Sequence, residues 1–357
     1  MTITRDDIRA AVGAGKISEA QANAIVALSD ARRGARENLE GLDEPFELFK
    51  GFNEIFIVIG LVILYAGWSG IAGLSSVVSQ EFQVSLFVFS LIGMATCMAL
   101  AIYFTRIRRM VAPSIALAVM FSISASQAGM VLGAWLSGDN IGALPAAAGW
   151  TTLALLVYWA IFRVPFALLL VALSVYTFAF GLTAMTGSEL SDLREAFLLS
   201  ANSAFPWITL GLGLVGLVIA LRFDISDPHR VTRRSAQGFW LHIISAPAIV
   251  NTLALTLFTQ GGYIAYLVLI VFLIVMALFA IAIDRRSFLI SGIGYMVALA
   301  ATVAQGNTWL LILFLGAFLV FLGAFWEHIR GGLMAALPTF PSKDRLPPWT
   351  RSKEFII

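Results

Sequence analysis

Charged residues are scarce in this chain. Only 12% of its 357 residues are charged, 59% are hydrophobic, and the mean hydropathy is +0.89. Soluble domains carry about 25% charged residues. A chain this apolar could not cover its own core with polar surface in water. The composition therefore predicts that the lipid bilayer is both its solvent and its main partner.

Cysteine and histidine are almost absent, and the common catalytic motifs are missing. The single cysteine, Cys97, excludes an intramolecular disulfide, and the three histidines lie in separate segments. The chain contains no H-E-x-x-H, no G-x-x-x-x-G-K-[ST] and no G-x-S-x-G. These absences predict a protein that is not an enzyme and that uses no metal or cofactor. A net charge of +2 gives no reason to expect a nucleic-acid partner.

Long apolar segments recur from residue 52 onward. A helix needs about 20 apolar residues to cross a membrane, and ten segments approach or exceed that length. They are residues 54–73, 83–104, 111–136, 142–162, 165–186, 203–221, 239–259, 262–283, 287–305 and 307–326. The sequence therefore predicts an all-α, polytopic transmembrane helical bundle of about ten spans.

The basic residues predict the orientation of these spans. If the N-terminus is cytoplasmic, 22 of the 23 Lys and Arg residues fall on the cytoplasmic side, and only Arg194 falls outside. Basic loops are retained in the cytoplasm during insertion, so we expect both termini there. Five arginines at inner helix ends are expected to anchor the helices at the membrane surface: Arg106, Arg163, Arg222, Arg285 and Arg330.

The chain divides into three predicted parts. Residues 1–50 are mixed and charged, unlike a signal peptide, and we interpret them as a small cytoplasmic helical hairpin with a linker. Ser18 and Gln21 form a capping-box pattern at the start of its second helix. Residues 51–330 form the bundle, and residues 331–357 form a cytoplasmic tail. Residues 1–33 could bind a cytoplasmic protein, and the chain could also form a homo-oligomer.

The seventh span carries the most polar side chains. Pro247 removes a backbone hydrogen bond and can kink the helix, and polar groups inside a membrane are costly enough to suggest a function. We therefore predict a ligand-binding site beside this span. The alternative is that the same side chains only join helices by hydrogen bonds. The candidate residues are Gln237, Trp240, His242 and Asn251, with Gln127 of the third span.

Two carboxylates near the predicted membrane surface are candidates for a proton relay. Glu54 lies at the start of the first span, and Glu327 lies at the end of the last. The dipole of a helix stabilises a carboxylate at its N-terminus. Glu54 therefore also has a purely structural explanation.

Two stretches resemble known sequences of unassigned chemistry. The hairpin residues 3–21 and the pattern TRRS…GFWLH…AP…IV over residues 232–250 are similar to an uncharacterised family of polytopic inner-membrane proteins of bacteria. The resemblance implies a multi-pass protein of the bacterial inner (cytoplasmic) membrane. It implies no substrate.

Two functions are compatible with these observations. The first is a small-solute transporter or binder with its polar site at the seventh span. The second is a membrane scaffold or regulatory protein whose hairpin recruits a partner. Ten spans suit two inverted repeats of five. However, Arg163-Val-Pro-Phe166 and Arg285-Arg-Ser-Phe288 are spaced as in a parallel repeat of four helices.

Overall fold

The computed structural model divides the chain into two compact units, Met1–Pro45 and Phe46–Ile357. It describes residues 8, 11–18, 21–22, 25, 52–79, 81–138, 140–188, 190, 192–201, 203–227, 233–303, 308–338 and 343–347. In the first unit the Ser18 N–H donates to Gln21 Oε1 at 2.9 Å, and the Gln21 N–H donates to Ser18 Oγ at 3.2 Å. The predicted capping box is confirmed.

Eleven α-helices make up the described part of the second unit, and no strand occurs there. The all-α prediction is confirmed. A π-helix, Ile102–Ile107, extends α2. The helices are α1 Phe52–Val78, α2 Phe82–Ala101, α3 Ala112–Ser137, α4 Asn140–Phe162, α5 Phe166–Met185, α6 Phe205–Ser226, α7 Arg233–Gln260, α8 Gly262–Ile283, α9 Ser287–Val303, α10 Thr308–Ala324 and α11 Trp326–Ala336.

Eight of these helices, α1 to α8, are long and apolar enough to cross a membrane. Helices α9 and α10 lie at the ninth and tenth predicted spans, and each has 17 residues. The predicted joint between them, residues 304–307, lies outside the described residues. Proline and glycine set several of the boundaries. Pro113 and Pro206 lie in the first turns of α3 and α6, and Gly138 ends α3 with a φ of 68°.

Two helices, α3 and α7, are the centres of the packing. Half of the most apolar stretch of each is buried, against a third or less in the other six long helices. Helix α3 packs against α1, α2, α4 and α5, while α7 packs against α5, α6, α8 and α9. Each neighbour of α7 stands four helices after the matching neighbour of α3. We name α2–α5 the first bundle and α6–α9 the second bundle.

The two bundles also agree in register. A Cβ placed on Gly93 of α2 would lie 2.8 Å from Ser124 Oγ of α3, and one on Gly216 of α6 would lie 2.5 Å from Ser245 Oγ of α7. In both bundles, therefore, a glycine lets a helix approach a serine of the central helix. An offset of four helices preserves direction across a membrane, so this pattern of contacts is the one expected of a parallel repeat.

The joints that end α4 and α8 match as well. Arg163 and Asp284 both adopt left-handed backbone conformations, with φ of 54° and 58°, which non-glycine residues rarely do. Each stands 39 residues after the serine of its central helix, Ser124 or Ser245. The structure therefore matches Arg163 with Asp284, one residue away from the sequence match of Arg163 with Arg285.

The chain beyond α10 packs onto the second bundle. Helix α11 runs across the boundary placed at residue 330. Leu346 packs in the same apolar cluster as Met334 of α11 and Phe288 of α9. Lys343 Nζ donates to the Leu337 carbonyl at 2.6 Å. At least residues 343–347 are thus part of the folded unit.

Candidate functional site

A charged cluster joins α6, α7 and the joint between α8 and α9. Arg285 donates to Asp224 along one edge of its guanidinium, from Nη2 to Oδ1 at 2.5 Å and from Nε to Oδ2 at 3.2 Å. His242 Nε2 lies 2.8 Å from the same Asp224 Oδ2. One carboxylate therefore holds an arginine and a histidine from two other elements. We name these three residues the charged cluster.

The local structure explains this geometry. Asp224 lies in the last turn of α6, and Arg285 follows the left-handed Asp284 that ends α8. A Cβ on Gly238 of α7 would lie 2.6 Å from Asp224 Oδ1 and 3.2 Å from the Ala220 carbonyl oxygen. Because residue 238 has no side chain, there is room for the Asp224 carboxylate against α7. Arg285 Nη2 also donates to the carbonyl oxygen of Ser235 at 3.0 Å.

The charged cluster is almost completely buried. Asp224 is 4% exposed, Arg285 is 1% exposed and His242 is 0% exposed. Burial of an unpaired charge is very unfavourable, whereas a bidentate pair with further hydrogen bonds offsets most of that cost. With a neutral imidazole the cluster carries no net charge, and protonation of His242 would give it a charge of +1. The net charge of the cluster therefore depends on the protonation state of His242.

A second buried group lies on the other side of the same joint. Trp326 Nε1 donates to Asp284 Oδ1 at 2.6 Å, and Arg330 Nε lies 3.9 Å from that oxygen. Arg330 also donates from Nη2 to the Pro347 carbonyl at 2.6 Å and from Nε to the Ile281 carbonyl at 3.2 Å. Burial lowers the pKa of the Arg330 guanidinium. Consecutive residues 284 and 285 thus connect the C-terminal segment with the charged cluster.

The residues predicted on the seventh span do not all meet. His242 belongs to the charged cluster, and Gln237 is buried on the same helix. Trp240 is half-buried, with its ring 4.7 Å from that of Phe166 on α5. Asn251 is half-buried and lies about three turns after Trp240 along α7. Helix α7 is continuous across Pro247.

Gln127 lies in the first bundle. Its Oε1 accepts a hydrogen bond of 3.4 Å from Ser90 of α2, and among the described residues no hydrogen bond joins it to Asn251. The structure therefore places Gln127 apart from the polar side chains of α7.

The two proposed relay carboxylates lie at helix starts. Glu54 is buried and accepts from the N–H groups of Val111 and Ala112, at 3.3 Å and 3.0 Å, where α3 begins. It therefore stabilises the first turn of a central helix. Glu327 lies in the first turn of α11 and is half-buried. Neither carboxylate is a member of the charged cluster.

Two of the five arginines expected as surface anchors are buried. Arg285 and Arg330 are each 1% exposed and paired with acidic groups, because packing of the α8–α9 joint encloses them. The anchoring prediction is wrong for these two. Arg106, Arg163 and Arg222 are exposed, as an anchoring role requires.

Sequence reasoning missed Asp224 and Arg285 as site residues. The sequence did contain a signal. Asp224 is an acidic residue within four residues of the end of the sixth apolar segment, in a region rich in basic residues. Pairing it with Arg285, 61 positions away, requires knowledge of which helices are neighbours. Among the described residues no group of three or more His, Cys, Asp and Glu side chains could hold a metal ion.

A separate groove of about 230 Å³ lies in the first bundle. It is formed by α3, α4 and α5, and Leu144 and Leu173 on its rim are exposed. Its hydroxyl groups include those of Thr151 and Ser174, which donate to carbonyls of their own helices. The lining therefore offers an incoming molecule mainly apolar contact.

The chain matches no protein-family model, no curated protein and no solved structure. The class of the protein therefore rests on its own features. Eight long helices carry apolar side chains on exposed faces, for example Leu64, Ile71 and Val271. It is a multi-pass integral membrane protein.

Proposed function

We propose that the protein is a transporter of small solutes with ten spans, and that the charged cluster is its polar centre. Both termini lie in the cytoplasm of a bacterial cell, and the protein resides in the inner membrane. This orientation follows from the 22 of 23 basic residues on one side. It puts the ends of α6 and α8, and hence the charged cluster, toward the cytoplasmic side of the bilayer.

The observation that carries this proposal is the complete burial of the charged cluster. Ionisable side chains within a membrane are costly and by default mark solute paths or proton relays. Asp224, His242 and Arg285 bring three separate elements together through a single carboxylate. A change in the charge of His242 would alter the interaction that holds those elements, as a gate requires.

The charged groups around His242 define what a proton would encounter. Asp224 faces it from α6 and Arg285 from the α8–α9 joint, while the ring of Phe288 packs 5.9 Å away. Asp227 is buried at the end of α6, and Arg286 stacks over Trp326, 5.2 Å from the ring centre. If His242 takes up a proton, the carboxylate in direct contact with it is that of Asp224.

The parallel arrangement of the two bundles also supports transport. Repeats related by an axis along the membrane normal occur in transporters, with the solute path at their interface. Helix α5 contributes to both bundles, since it packs against α3, α6 and α7. Tyr176 Oη donates to the Thr209 carbonyl at 3.3 Å across this interface.

Proteoliposomes containing a trapped pH-sensitive dye test the proposal. The full-length protein is reconstituted and offered membrane-impermeant amino acids, sugars and dicarboxylates, and proton movement is recorded. At least one class should drive proton movement. His242→Gln, which keeps a hydrogen-bonding side chain but cannot take up a proton, should reduce it at least about tenfold, in the range of general acid–base effects.

The matched control for this assay is His328→Gln. His328 is exposed at the start of α11, so its replacement should leave proton movement unchanged. If His242→Gln behaves like the wild type, the charged cluster is not the polar centre. If no solute class moves protons, the transporter proposal fails.

A second candidate function is a scaffold or regulator that recruits a partner through its hairpin. The formed capping box of Ser18 and Gln21 and the compact unit Met1–Pro45 favour it. Deletion of residues 1–45 separates the two functions. A transporter should keep solute-driven proton movement without the hairpin, whereas a scaffold should show none in either form and should lose its cytoplasmic partner.

A further inference from the structure

We propose that the start of α9 binds a small oxyanion, a carboxylate or a phosphate group, through Arg285 Nη1 and Ser287 Oγ. This inference deepens the proposed function, because it names the chemical class of the solute at the charged cluster. It rests on three features of the α8–α9 joint. These are an arginine edge that Asp224 does not use, a buried hydroxyl, and the N-terminus of a 17-residue helix.

The guanidinium of Arg285 has one edge available. Its Nε and Nη2 groups are used by Asp224 and Ser235. Nη1 lies on the opposite side of the planar group and carries two further N–H donors. This atom is buried and has no hydrogen-bond partner within the described part of the chain. An unsatisfied buried donor of a charged group is costly, and an acceptor group would remove that cost.

Ser287 supplies a second donor at the same joint. It is the first residue of α9 and is 5% exposed, and its Oγ is also buried without a hydrogen-bond partner among the described residues. Ser291, one turn later, instead donates its hydroxyl to the Ser287 carbonyl at 3.0 Å. The two serines of α9 therefore differ in whether their hydroxyl is already used.

The backbone at this point favours an anion. The first backbone hydrogen bond of α9 runs from the Ile290 N–H to the Arg286 carbonyl. The N–H groups of residues 287–289 come before it, and at a helix start such groups attract negative charge. Phe288, which is 1% exposed, packs its ring against that of His242. The start of α9 therefore adjoins the charged cluster.

Arg285 Nη1, Ser287 Oγ and the backbone N–H groups at the start of α9 are all donors, and this decides the ligand class. A neutral sugar or a cation would leave the second edge of Arg285 without an anionic acceptor. A carboxylate or phosphate oxygen can accept from Nη1 and Oγ together, as in other charge-assisted pairs. A proton on His242 would also balance the charge that a monovalent anion adds, so binding of the two should be linked.

Thermal unfolding of the full-length protein in detergent tests the site. Sodium acetate and inorganic phosphate are titrated against sodium chloride at matched ionic strength, and the unfolding temperature is recorded. Acetate or phosphate should raise the unfolding temperature of the wild type in a saturable way. Ser287→Ala should weaken the apparent affinity about fivefold to tenfold through the loss of one hydrogen bond to a charged group.

Ser291→Ala is the matched control, because its hydroxyl is already bonded within the helix, and its affinity should equal that of the wild type. Arg285→Lys, which keeps the charge but has no second edge, should abolish the response. An equal response of the wild type and Ser287→Ala, or no saturable response, overturns the proposal.

A lipid headgroup carries the same phosphate chemistry, so the titration is repeated in nanodiscs of phosphatidylglycerol and of phosphatidylcholine. Stabilisation by phosphatidylglycerol that Ser287→Ala removes would support the oxyanion site and identify its source as lipid. The outcomes remain separable from those of the transport assay. Proton movement without anion binding would leave the transporter proposal intact, and anion binding without proton movement would leave only the site.

Discussion

The two bundles share the same helix packing but differ in the chemistry of matching residues. In each, a central helix is packed against four neighbours in the same order. Ser114 of α3 and Ser235 of α7 occupy matching places, ten residues before Ser124 and Ser245. Ser114 Oγ accepts from Thr105 Oγ1 at 2.8 Å, whereas Ser235 Oγ accepts from Arg285 Nη2 at 3.3 Å. The first bundle uses neutral hydroxyls where the second uses charges.

The difference extends to the residues that match the charged cluster. Phe121 stands seven residues after Ser114, as His242 stands seven after Ser235, and Val164 follows Arg163 as Arg285 follows Asp284. Phe121 and Val164 are buried in the apolar core of the first bundle. At these two matching positions the first bundle carries apolar side chains, while a buried carboxylate, Glu54 of α1, accepts from the N–H groups where α3 begins. We take this difference at two of the three positions as support for the proposed role of the charged cluster.

The largest expected effect distinguishes the bundles directly. Asp224→Ala leaves the buried Arg285 without its carboxylate and should reduce the free energy of unfolding by about 3–5 kcal/mol. The measurement is reversible unfolding in detergent micelles. Glu81→Ala, an exposed carboxylate at the start of α2, should change it by less than about 0.5 kcal/mol. A double variant, Asp224→Ala with Arg285→Ala, should lose less than Asp224→Ala alone, and an equal loss would contradict a coupled pair.

The second effect concerns the C-terminal segment, whose described residues pack on the second bundle and on α10. Arg330→Met removes the hydrogen bonds to the Ile281 and Pro347 carbonyls and the ion pair with Asp284. The expected loss is about 1.5–3 kcal/mol, typical of hydrogen bonds made by a charged group. Trypsin should cleave after Arg345 faster than in the wild type. Arg222→Met, at an exposed position, should not alter the cleavage rate.

Glycine substitutions test whether both central helices depend equally on close packing. A Cβ on Gly133 would lie 2.8 Å from the Ala143 backbone, and one on Gly238 would lie 2.6 Å from Asp224 Oδ1. Each alanine variant should lose about 1–3 kcal/mol through overpacking. Gly211→Ala, which meets no atom within 4 Å, should be neutral or slightly stabilising. Only Gly238→Ala should also impair His242-dependent proton movement.

Hydrophobic length predicted the helices well because lipid imposes it. The ten predicted spans coincide with α1 to α10 to within a few residues at most boundaries, since a membrane helix must satisfy its own backbone. The largest difference is at α7, which begins at Arg233 rather than near residue 239. Its first turn is polar, so hydropathy does not detect it.

The candidate site was predictable only in part. His242 stood out because an imidazole in an apolar helix is rare and costly. Its partners come from other helices, and no local pattern states which helices are neighbours or which way their faces turn. The same reason explains Gln127, which was predicted to join the polar residues of the seventh span but bonds to Ser90. The local sequence pattern identified His242 as a candidate, whereas only the packing of the helices identified Asp224 as its partner.

The smallest expected effect compares the two polar contacts that stand in similar places. Thr105→Val removes the hydroxyl bond to Ser114 in the first bundle, and His242→Met removes the imidazole bond to Asp224 in the second. Interhelical hydrogen bonds in membrane proteins contribute about 0.6 kcal/mol on average. Each variant should therefore reduce the free energy of unfolding by about that amount, because valine and methionine fill similar volumes and Arg285 still pairs with Asp224.

The two variants should differ in function although they agree in stability. Thr105→Val should leave solute-driven proton movement at the wild-type rate, since no ionisable group changes. His242→Met should abolish it, since the cluster then keeps zero net charge at every pH where Asp224 and Arg285 stay ionised. Stability is measured by unfolding in detergent, and proton movement by the dye in proteoliposomes. If both variants move protons normally, His242 serves only to hold α7 against α6, and the charges of the second bundle need another explanation.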